Sequence, residues 1–144
     1  MKSREAKLSD VPSITKIHKK LFPDELPNAH NQIRSEHHRV FVTLDSQNNI
    51  LGYVIYQVID FEAEIYFFGV KEELQGKKIG QELLKFSLEE LKKDEVKRIT
   101  LEVKESNLKA RKIYEKCGFI NVGIRPRYYK DEAGIIYVWE DKTI

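Results

Sequence analysis

The stretch IYFFGVKEELQGKKIG, residues 65–80, places the tightest constraint on the fold. It begins as an apolar, aromatic-rich run that ends at Val70, crosses a short charged segment and enters residues 75–80. An amphipathic pattern then continues to about Lys93. The stretch therefore predicts a strand, a tight turn and a helix. Because a helix N-terminus has unpaired N–H groups and the positive end of the helix dipole, this turn can hold an anion, most often a phosphate.

Length and composition are those of an ordinary globular chain. The 144 residues suit one domain, 1–144, that is large enough to bury a core. No apolar run approaches the roughly 20 residues of a membrane span, and the first ten residues lack the apolar core of a signal peptide. The 25 basic and 23 acidic residues nearly balance, which argues against nucleic-acid binding. The lack of a long apolar run leads us to expect no membrane partner. A single cysteine and four histidines without zinc-type spacing lead us to expect no metal, and the single cysteine fits a cytoplasmic location.

Residue patterns on both sides of the turn predict alternating strands and helices. The segments expected before the turn are a strand at 2–7, a helix that Ser9 caps and Phe22-Pro23 ends, a short helix at about 27–36, and strands at 40–44, 50–58 and 63–70. The segments expected after it are a helix to about Lys93, a strand at 97–104, a helix that begins at Ser106 or Asn107 and ends at Gly118, and strands at 120–129 and 135–139 joined by the turn 130–134.

The strand–helix–strand unit around the turn predicts a right-handed crossover and a parallel pair. Gly80 falls on the apolar stripe of the helix, where a missing side chain lets helix and strand approach closely. We therefore expect an α/β domain with a mixed, mostly antiparallel sheet of about seven strands, a central parallel pair and about four flanking helices.

A second motif lies in LEVKESNLKARKIYEKCGF, residues 101–119. Its spaced residues are Asn107, Ala110, Tyr114, Gly118 and Phe119. Taken with the turn, it resembles the GNAT superfamily of N-acetyltransferases, whose later motif N-x-x-A-x-x-x-Y-x-x-x-G-F is complete here. The resemblance covers essentially the whole chain, and it implies the GNAT fold and acetyl-CoA as the acetyl donor.

The earlier GNAT motif, Q/R-x-x-G-x-G/A, binds the pyrophosphate of the cofactor. Here Gln75 and Gly80 occupy its outer positions, and Lys78 replaces the inner glycine. A lysine can still offer its backbone N–H if its backbone is helical, so we expect pyrophosphate binding to be kept. The turn is neither a Walker P-loop nor a GxGxxG fingerprint.

Within the superfamily the chain looks closest to the RimI-type enzymes, which acetylate protein N-terminal amines. The resembling segments are Ala63-Glu64-Ile65, LEVKESN, and GxRPRYY at 123–129, followed by Glu132-Ala133 close to the acidic-Ala pair of those enzymes. The early loop FPDELPNAHNQ lacks the usual FPW-type segment, and Gly134 directly follows the acidic-Ala pair. Both departures fall on segments expected to bind the acceptor.

The resemblance implies direct acetyl transfer to a peptide or protein α-amine. A small-molecule amine, such as a polyamine, an amino sugar or an amino acid, stays open as the acceptor. A non-catalytic acyl-CoA-binding module is a third interpretation, against which the presence of both Glu102 and Tyr114 argues. The sequence leaves both a monomer and a homodimer open.

Catalytic roles follow from the same resemblance. It places the general base at Glu102 and the general acid, which protonates the departing thiolate, at Tyr114. Glu64 on the neighbouring strand is a rival base, and either carboxylate could act through a water. The alternatives are a solvated strand carboxylate for Glu102 and a core side chain for Tyr114. Ile99, Leu101 and Val103 are expected on one strand face, with Thr100 and Glu102 on the other.

Cofactor contacts are expected along the diverging end of the central strand, at the turn and at the next helix. In the GNAT fold the pantetheine amides pair with the unpaired end of that strand, and Gly69 would leave room for this approach. Asn107 resembles the residue that binds the pantetheine arm, and it can cap the helix at the same time. The residues predicted to contact acetyl-CoA are Phe68, Gly69, Val70, Gln75, Gly76, Lys77, Lys78, Ile79, Gly80, Gln81, Asn107 and Tyr114.

Two other groups of side chains could take part in chemistry. Cys117 lies on an apolar stripe, so structural burial is favoured over an acyl-enzyme nucleophile. Arg125, Arg127, Tyr128 and Tyr129 form a basic-aromatic cluster that either lines the acceptor groove or caps the end of a strand.

Overall fold

The computed structural model describes residues 1–129 and 131–142, without the side chains of Arg127 and Tyr128. The strands are β1 (Lys2–Glu5), β2 (His38–Leu44), β3 (Ile50–Ile59), β4 (Glu62–Val70), β5 (Arg98–Lys104), β6 (Ile120–Tyr129) and β7 (Glu132–Glu140). The helices are α1 (Val11–Leu21), α2 (Ala29–Arg34), α3 (Ile79–Lys93) and α4 (Leu108–Lys116). Over these described ranges the predicted seven strands and four helices are confirmed.

One mixed sheet has the order β1-β2-β3-β4-β5-β7-β6. Only the β4–β5 pair is parallel within the described chain, and α3 connects these two strands. All other neighbours are antiparallel. The predicted mixed sheet with one central parallel pair is therefore confirmed.

The parallel pairing of β4 and β5 is short. It joins Glu62–Glu64 to Arg98–Thr100, and no further rung is formed between the two strands in the described chain. A bulge in β4 lies nearby, because Tyr56 pairs with Ile65 and Ile55 pairs with Phe67, which leaves Tyr66 as the extra residue. The strands therefore separate beyond this point and leave a cleft in the middle of the sheet.

The two faces of the sheet carry separate apolar clusters. The α3 stripe of Leu83, Leu84, Leu88 and Leu91 is buried against one face, which includes Ile99, Leu101 and Val103 of β5. Burying each of these leucines stabilises the fold by roughly 2 kcal/mol. On the other face, Ile14 and Ile17 of α1 pack on Tyr53 and Ile55. Thr100 and Glu102 lie on this second side of β5, as expected.

The entry into α1 differs from the prediction. Ser9 does not cap the helix; it lies in a 3₁₀ turn, Leu8–Asp10, and Asp10 occupies the N-cap position. The Asp10 carboxylate accepts hydrogen bonds from the Lys7 backbone N–H at 2.7 Å and from Arg4 at 2.7 Å. Since this carboxylate binds a backbone donor and a cation of β1 together, it fixes the chain between β1 and α1 better than Ser9 would.

Several element ends also differ. β1 ends at Glu5 rather than residue 7, and α2 covers Ala29–Arg34 rather than 27–36. β7 begins at Glu132, which pairs with Tyr129, so the final turn is shorter than the predicted 130–134. Gly134 pairs with Lys104 of β5, so ladder pairing extends the strand through residues of low strand propensity.

Candidate active site

The cleft between β4 and β5 exposes one edge of β4. Phe68, Gly69 and Val70 pair with β3, and none of them has a rung to β5 in the described chain. Their backbone groups on the cleft side are therefore placed as the sequence predicted, where an amide-containing ligand could add like a strand.

Gly69 of β4 is closely packed on the second face of the sheet. A Cβ built there would lie 2.7 Å from Leu21 Cδ1 and 3.1 Å from Tyr53 Cε1. The missing side chain therefore accommodates α1 and β3 on the second face. Gly69 is thus required for packing, and its role in leaving room for the cofactor stays a prediction.

The turn before α3 contains two residues with left-handed backbone. Gly76 has φ +86° and Lys78 has φ +66°. Lys78 also stands at the N-cap of α3. Its backbone is left-handed, so the condition of a helical backbone set for it above is not met. The family motif has glycine at this position, and the geometry explains why, since only glycine adopts such a φ without steric cost.

The first turn of α3 leaves a run of backbone donors unpaired. The first amide after the turn with a backbone acceptor is that of Glu82, which donates to the Lys78 carbonyl at 3.1 Å. For the N–H groups of residues 76–81, no acceptor is found within the described chain. Apart from Gly76 and the residues on either side of it, no described heavy atom lies within 4 Å of a Cβ built on Gly76. Open space, unpaired N–H groups and exposed Lys77 and Lys78 together suit a pyrophosphate.

Gln75 and Gly80 hold this turn against the sheet. The Gln75 side-chain Nε2 donates to the Val70 carbonyl at 3.2 Å, which ties the turn to the end of β4. A Cβ on Gly80 would lie 2.9 Å from Phe68 Cζ, so α3 and β4 approach as closely as predicted. Both outer residues of the motif therefore have structural contacts of their own.

Asn107 begins α4 as predicted. Its Oδ1 accepts a hydrogen bond from the Ala110 N–H at 3.2 Å, which caps the helix. Asn107 is exposed, and its side-chain NH2 group has no hydrogen-bond partner within the described chain. That donor is available to a carbonyl of a bound ligand.

Tyr114 lies on the buried side of α4. Its ring is 5% exposed and packs at centroid distances of 5.7 Å from Phe68 and Phe119 and 6.1 Å from Tyr137. Burial raises the pKa of Tyr114, and the neighbouring Tyr129 adds to this effect. Within the described residues no partner accepts from or donates to its hydroxyl. Tyr114 therefore keeps its proton at neutral pH and has it free to donate.

Two carboxylates lie on the second face beside the cleft. Glu64 pairs in register with Thr100, and Glu102 follows two residues further along β5. Glu102 Oε1 is 2.9 Å from Arg125 Nη2, and Glu102 Oε2 is buried without a partner in the described chain. Glu64 is exposed overall, yet partial desolvation of its carboxyl group and the nearby Glu102 charge raise its pKa. A pair of this kind can attract a cationic amine and accept its proton.

The β6–β7 hairpin closes one side of the site. Tyr129 donates its hydroxyl to the Glu102 carbonyl at 3.4 Å, and Lys104 Nζ lies 5.6 Å from the Tyr129 ring centroid. Together with the Arg125 ion pair, this brings half of the basic-aromatic cluster to Glu102. The side chains of Arg127 and Tyr128 lie outside the described part of the structure. Sequence reasoning missed both contacts to Glu102, because they join segments far apart in the chain.

The surroundings of Cys117 do not suit a nucleophile. It is buried, its Sγ donates to the Gln81 carbonyl at 3.9 Å, and burial raises the pKa of the thiol to about 11. A thiol of that pKa carries almost no thiolate at neutral pH, so the interpretation of Cys117 as a packing residue agrees with the geometry.

The described part of the chain contains neither a metal-binding cluster nor a membrane-spanning helix. Among its residues, no group of three His, Cys, Asp or Glu side chains is placed to bind a metal ion. None of its helices has the length and apolar character needed to cross a membrane.

Comparison with known proteins agrees with this geometry. The family described as the acetyltransferase (GNAT) family matches residues 10–119. A Haemophilus influenzae [ribosomal protein bS18]-alanine N-acetyltransferase is 38% identical over 91 residues, which cover 63% of this chain and 62% of that protein. A Bacillus subtilis protein provisionally given the same name is 25% identical over 132 residues, 90% of this chain and 87% of that protein.

A solved structure shows the same architecture over nearly the full length. The crystal structure of the ribosomal-protein-S18-alanine N-acetyltransferase from Escherichia coli superposes with a TM-score of 0.79 at 25% identity, covering 99% of this chain and 97% of that one. The fold is therefore the GNAT fold, as the sequence predicted. The chain belongs to the GNAT family of acetyltransferases, and it is an N-acetyltransferase that uses acetyl-CoA as its acetyl donor.

Proposed function

We propose that this enzyme acetylates the α-amine of a protein or peptide N-terminus by direct transfer from acetyl-CoA, as RimI-type enzymes do. The observation that carries the proposal is the Glu64–Glu102 carboxylate pair beside the β4–β5 cleft, with Glu102 contacted by the hairpin that bears Arg125 and Tyr129. The pair supplies negative charge and a base for an amine, and Tyr114, which packs on Phe68 of β4, would supply the acid from the other face.

The donor fits the other side of the cleft. The unpaired N–H groups of residues 76–81 would bind the pyrophosphate, with Lys77 and Lys78 adding positive charge. The open edge at Phe68, Gly69 and Val70 would pair with the pantetheine amides, and the free NH2 of Asn107 would meet a carbonyl of that arm. Ile79, Gly80 and Gln81 belong to this set through their unpaired backbone N–H groups.

The chemistry requires a neutral amine. Acetyl-CoA supplies a thioester carbonyl; the amine nitrogen attacks it, the C–S bond breaks, and the acetyl group stays on nitrogen. The proton lost by the amine passes to a carboxylate of the pair, Glu102 or its rival Glu64, directly or through a water. Tyr114 gives its proton to the departing thiolate.

An α-amine suits this base better than a lysine side chain. The ordinary pKa is near 8 for an α-amine and near 10.4 for a lysine amine. Producing the neutral form at neutral pH therefore costs about 3 kcal/mol more for the lysine amine. The relatives named as [ribosomal protein bS18]-alanine N-acetyltransferases support a protein α-amine as the acceptor, with alanine as the first residue to test. We also propose that residues 1–144 act as one domain and that the enzyme works in the cytoplasm.

One assay tests the proposal. Release of the CoA thiol from acetyl-CoA is followed with peptides that begin with alanine, with the same peptides blocked at the N-terminus, and with spermidine and an amino sugar. We expect turnover with the free α-amine and none with the blocked peptides. Turnover with small amines alone would reject the protein substrate, and tight CoA binding without any turnover would indicate a binding module.

The same assay identifies the base. Glu102→Gln and Glu64→Gln are compared over a range of pH with the best acceptor. The variant that has lost the base should need a higher pH for the same rate, because only an amine that is already neutral can then react. A wild-type pH–rate profile in the Glu102 variant would remove Glu102 from proton transfer.

A further inference from the structure

Glu132, the first residue of β7, makes a two-point contact with the loop before α4. Its Oε2 accepts from the Ser106 backbone N–H at 3.0 Å, and its Oε1 accepts from the Ser106 hydroxyl at 2.9 Å. Beside it, the Glu105 N–H donates to the Ala133 carbonyl at 3.0 Å. Hydrogen bonds to an ionised carboxylate are stronger than neutral ones. This contact therefore fastens the β6–β7 hairpin to the loop 105–107.

The loop held by Glu132 sets the start of α4. Ser106 directly precedes Asn107, whose Oδ1 caps the helix. The remaining contacts of this loop are short-range or come from α4 itself: the Asn107 N–H donates to the Lys104 carbonyl at 2.9 Å, and Arg111 donates to the Glu105 carbonyl at 2.7 Å. Glu132 thus supplies the side-chain contact that locates the loop relative to the rest of the sheet.

The other arm of the same hairpin reaches the carboxylate side of the cleft. Arg125 is ion-paired with Glu102, and Tyr129 donates to the Glu102 carbonyl. The hairpin therefore contacts the proposed acceptor side through β6 and the proposed cofactor side through β7. The Glu132–Ser106 contact is therefore a direct link between the hairpin that holds Glu102 and the loop that starts α4.

We propose that Glu132 is a positioning residue for acetyl-CoA, which it favours by fixing Ser106 and so the orientation of Asn107 and the start of α4. The proposal rests on the proposed binding of the pantetheine arm by Asn107. It also gives a physical reason for the acidic residue of the acidic-Ala pair: the carboxylate holds Ser106, and the next carbonyl, that of Ala133, holds Glu105.

The test compares variants on the two sides of the contact. Glu132→Ala removes both hydrogen bonds, whereas Ser106→Ala removes the hydroxyl bond and keeps the backbone one. The matched control is Asp131→Ala, which removes the neighbouring carboxylate of the same hairpin. The measurements are the Kd of CoA by titration calorimetry, the KM for acetyl-CoA, kcat at saturating donor, and Tm.

Glu132→Ala should raise the Kd of CoA and the KM for acetyl-CoA about 3- to 10-fold, which is less than the full effect of losing hydrogen bonds to a charged group because Glu132 acts through Asn107 and does not touch the ligand. Its kcat at saturating donor should stay within about twofold, because Glu132 touches no reacting atom. Ser106→Ala should show a smaller rise, and the double variant should match Glu132→Ala, since the two side chains share one contact. Asp131→Ala should bind CoA as the wild type does.

Glu132→Ala with a wild-type Kd for CoA would overturn the inference, whether or not its Tm falls. An equal rise in Asp131→Ala would also overturn it, because the effect would then be one of net charge. CoA binds without an acceptor amine, so the measured Kd does not depend on which amine the enzyme acetylates. If the wild type binds no CoA, the proposed function itself fails.

Discussion

Arg125 Nη2 lies 2.9 Å from Glu102 Oε1, so the carboxylate at the end of the cleft is held by a cation from the neighbouring hairpin. The second oxygen of Glu102 is buried without a partner among the described residues. Glu64 stands on the adjacent strand with its pKa raised by partial desolvation and by the Glu102 charge. The two carboxylates thus differ in their surroundings: Glu102 is ion-paired, whereas the pKa of Glu64 is raised above that of an ordinary glutamate.

The coupling of the two carboxylates can be measured directly. In Glu102→Gln the negative charge beside Glu64 is gone, so the pKa of Glu64 should fall. It should stay above its ordinary value, because desolvation is the larger cause of the rise. Carbon NMR titration of the Glu64 carboxyl measures both effects. Glu62→Gln, on the same strand and next to Arg98, serves as a control that should shift Glu64 less. An unchanged Glu64 pKa in Glu102→Gln would show that the two groups do not interact.

The sequence predicted those parts of the fold that depend on local pattern. The α3 stripe with Gly80 on it, the Asn107 cap and the left-handed Gly118 at φ +97° each follow from the residue pattern of a single helix. Strand alternation likewise placed Glu102 opposite the buried face of β5.

Other parts of the site depend on long-range pairing that no local pattern encodes. The contacts of Arg125 and Glu132 require the register of β7 against β5 and that of β6 against β7, and the second of these includes shifts within β6. The left-handed backbone of Lys78 was missed because a lysine gives no signal for positive φ. The family motif, which has glycine there, held that information.

Tyr114→Phe should lower kcat about tenfold and leave the Kd of CoA and the Tm nearly unchanged. The ring packing is kept, and the lost hydroxyl has no partner in the described chain. The factor lies below the usual range for a general acid because a thiolate is already a fair leaving group.

Tyr137→Phe is the matched control for Tyr114→Phe. The Tyr137 hydroxyl donates to Glu115 Oε2 at 2.5 Å and accepts from Arg111 Nε at 3.1 Å, so its loss should lower Tm while kcat is kept. Wild-type turnover in Tyr114→Phe would leave that residue as core packing alone.

The backbone of Lys78 predicts an unusual order of stability. Its φ of +66° is costly for any residue with a Cβ, so Lys78→Gly should have a free energy of unfolding about 1 kcal/mol above that of Lys78→Ala. At Lys85, an exposed position in the middle of α3, the same pair should show the reverse order by about 1 kcal/mol. Urea denaturation of the four variants checks this. If Ala is the more stable residue at both positions, the backbone at Lys78 is helical in solution.

Close packing of α3 on β4 depends on Gly80. In Gly80→Ala the new Cβ would lie 2.9 Å from Phe68 Cζ and 3.3 Å from Ile113 Cδ1, so we expect a loss of about 1–3 kcal/mol in the free energy of unfolding. The affinity for CoA should fall too, because Phe68 borders the cleft. Gly123→Ala is the control: its nearest neighbour is 3.9 Å away, and its stability should stay within about 0.5 kcal/mol of the wild type. Equal effects at both glycines would mean that the contact with Phe68 is not limiting.

His18 should make the protein less stable in mild acid. The side chain is 2% exposed, its Nδ1 is 2.7 Å from the Tyr53 hydroxyl, and its Nε2 has no hydrogen-bond partner in the described chain. Burial lowers the pKa of His18, although the nearby Glu25 opposes this. The unfolded chain therefore takes up a proton at about pH 6.5 that the folded chain binds only at lower pH, so the free energy of unfolding falls as pH drops through this window.

Urea denaturation at about pH 7.5 and about pH 5.5 should show a loss approaching about 1 kcal/mol. His18→Gln should reduce this loss, with His38, whose pKa is also lowered, contributing the remainder. His30→Gln, an exposed change on α2, should leave the loss intact, and an equal reduction by both variants would show that burial of His18 is not its source.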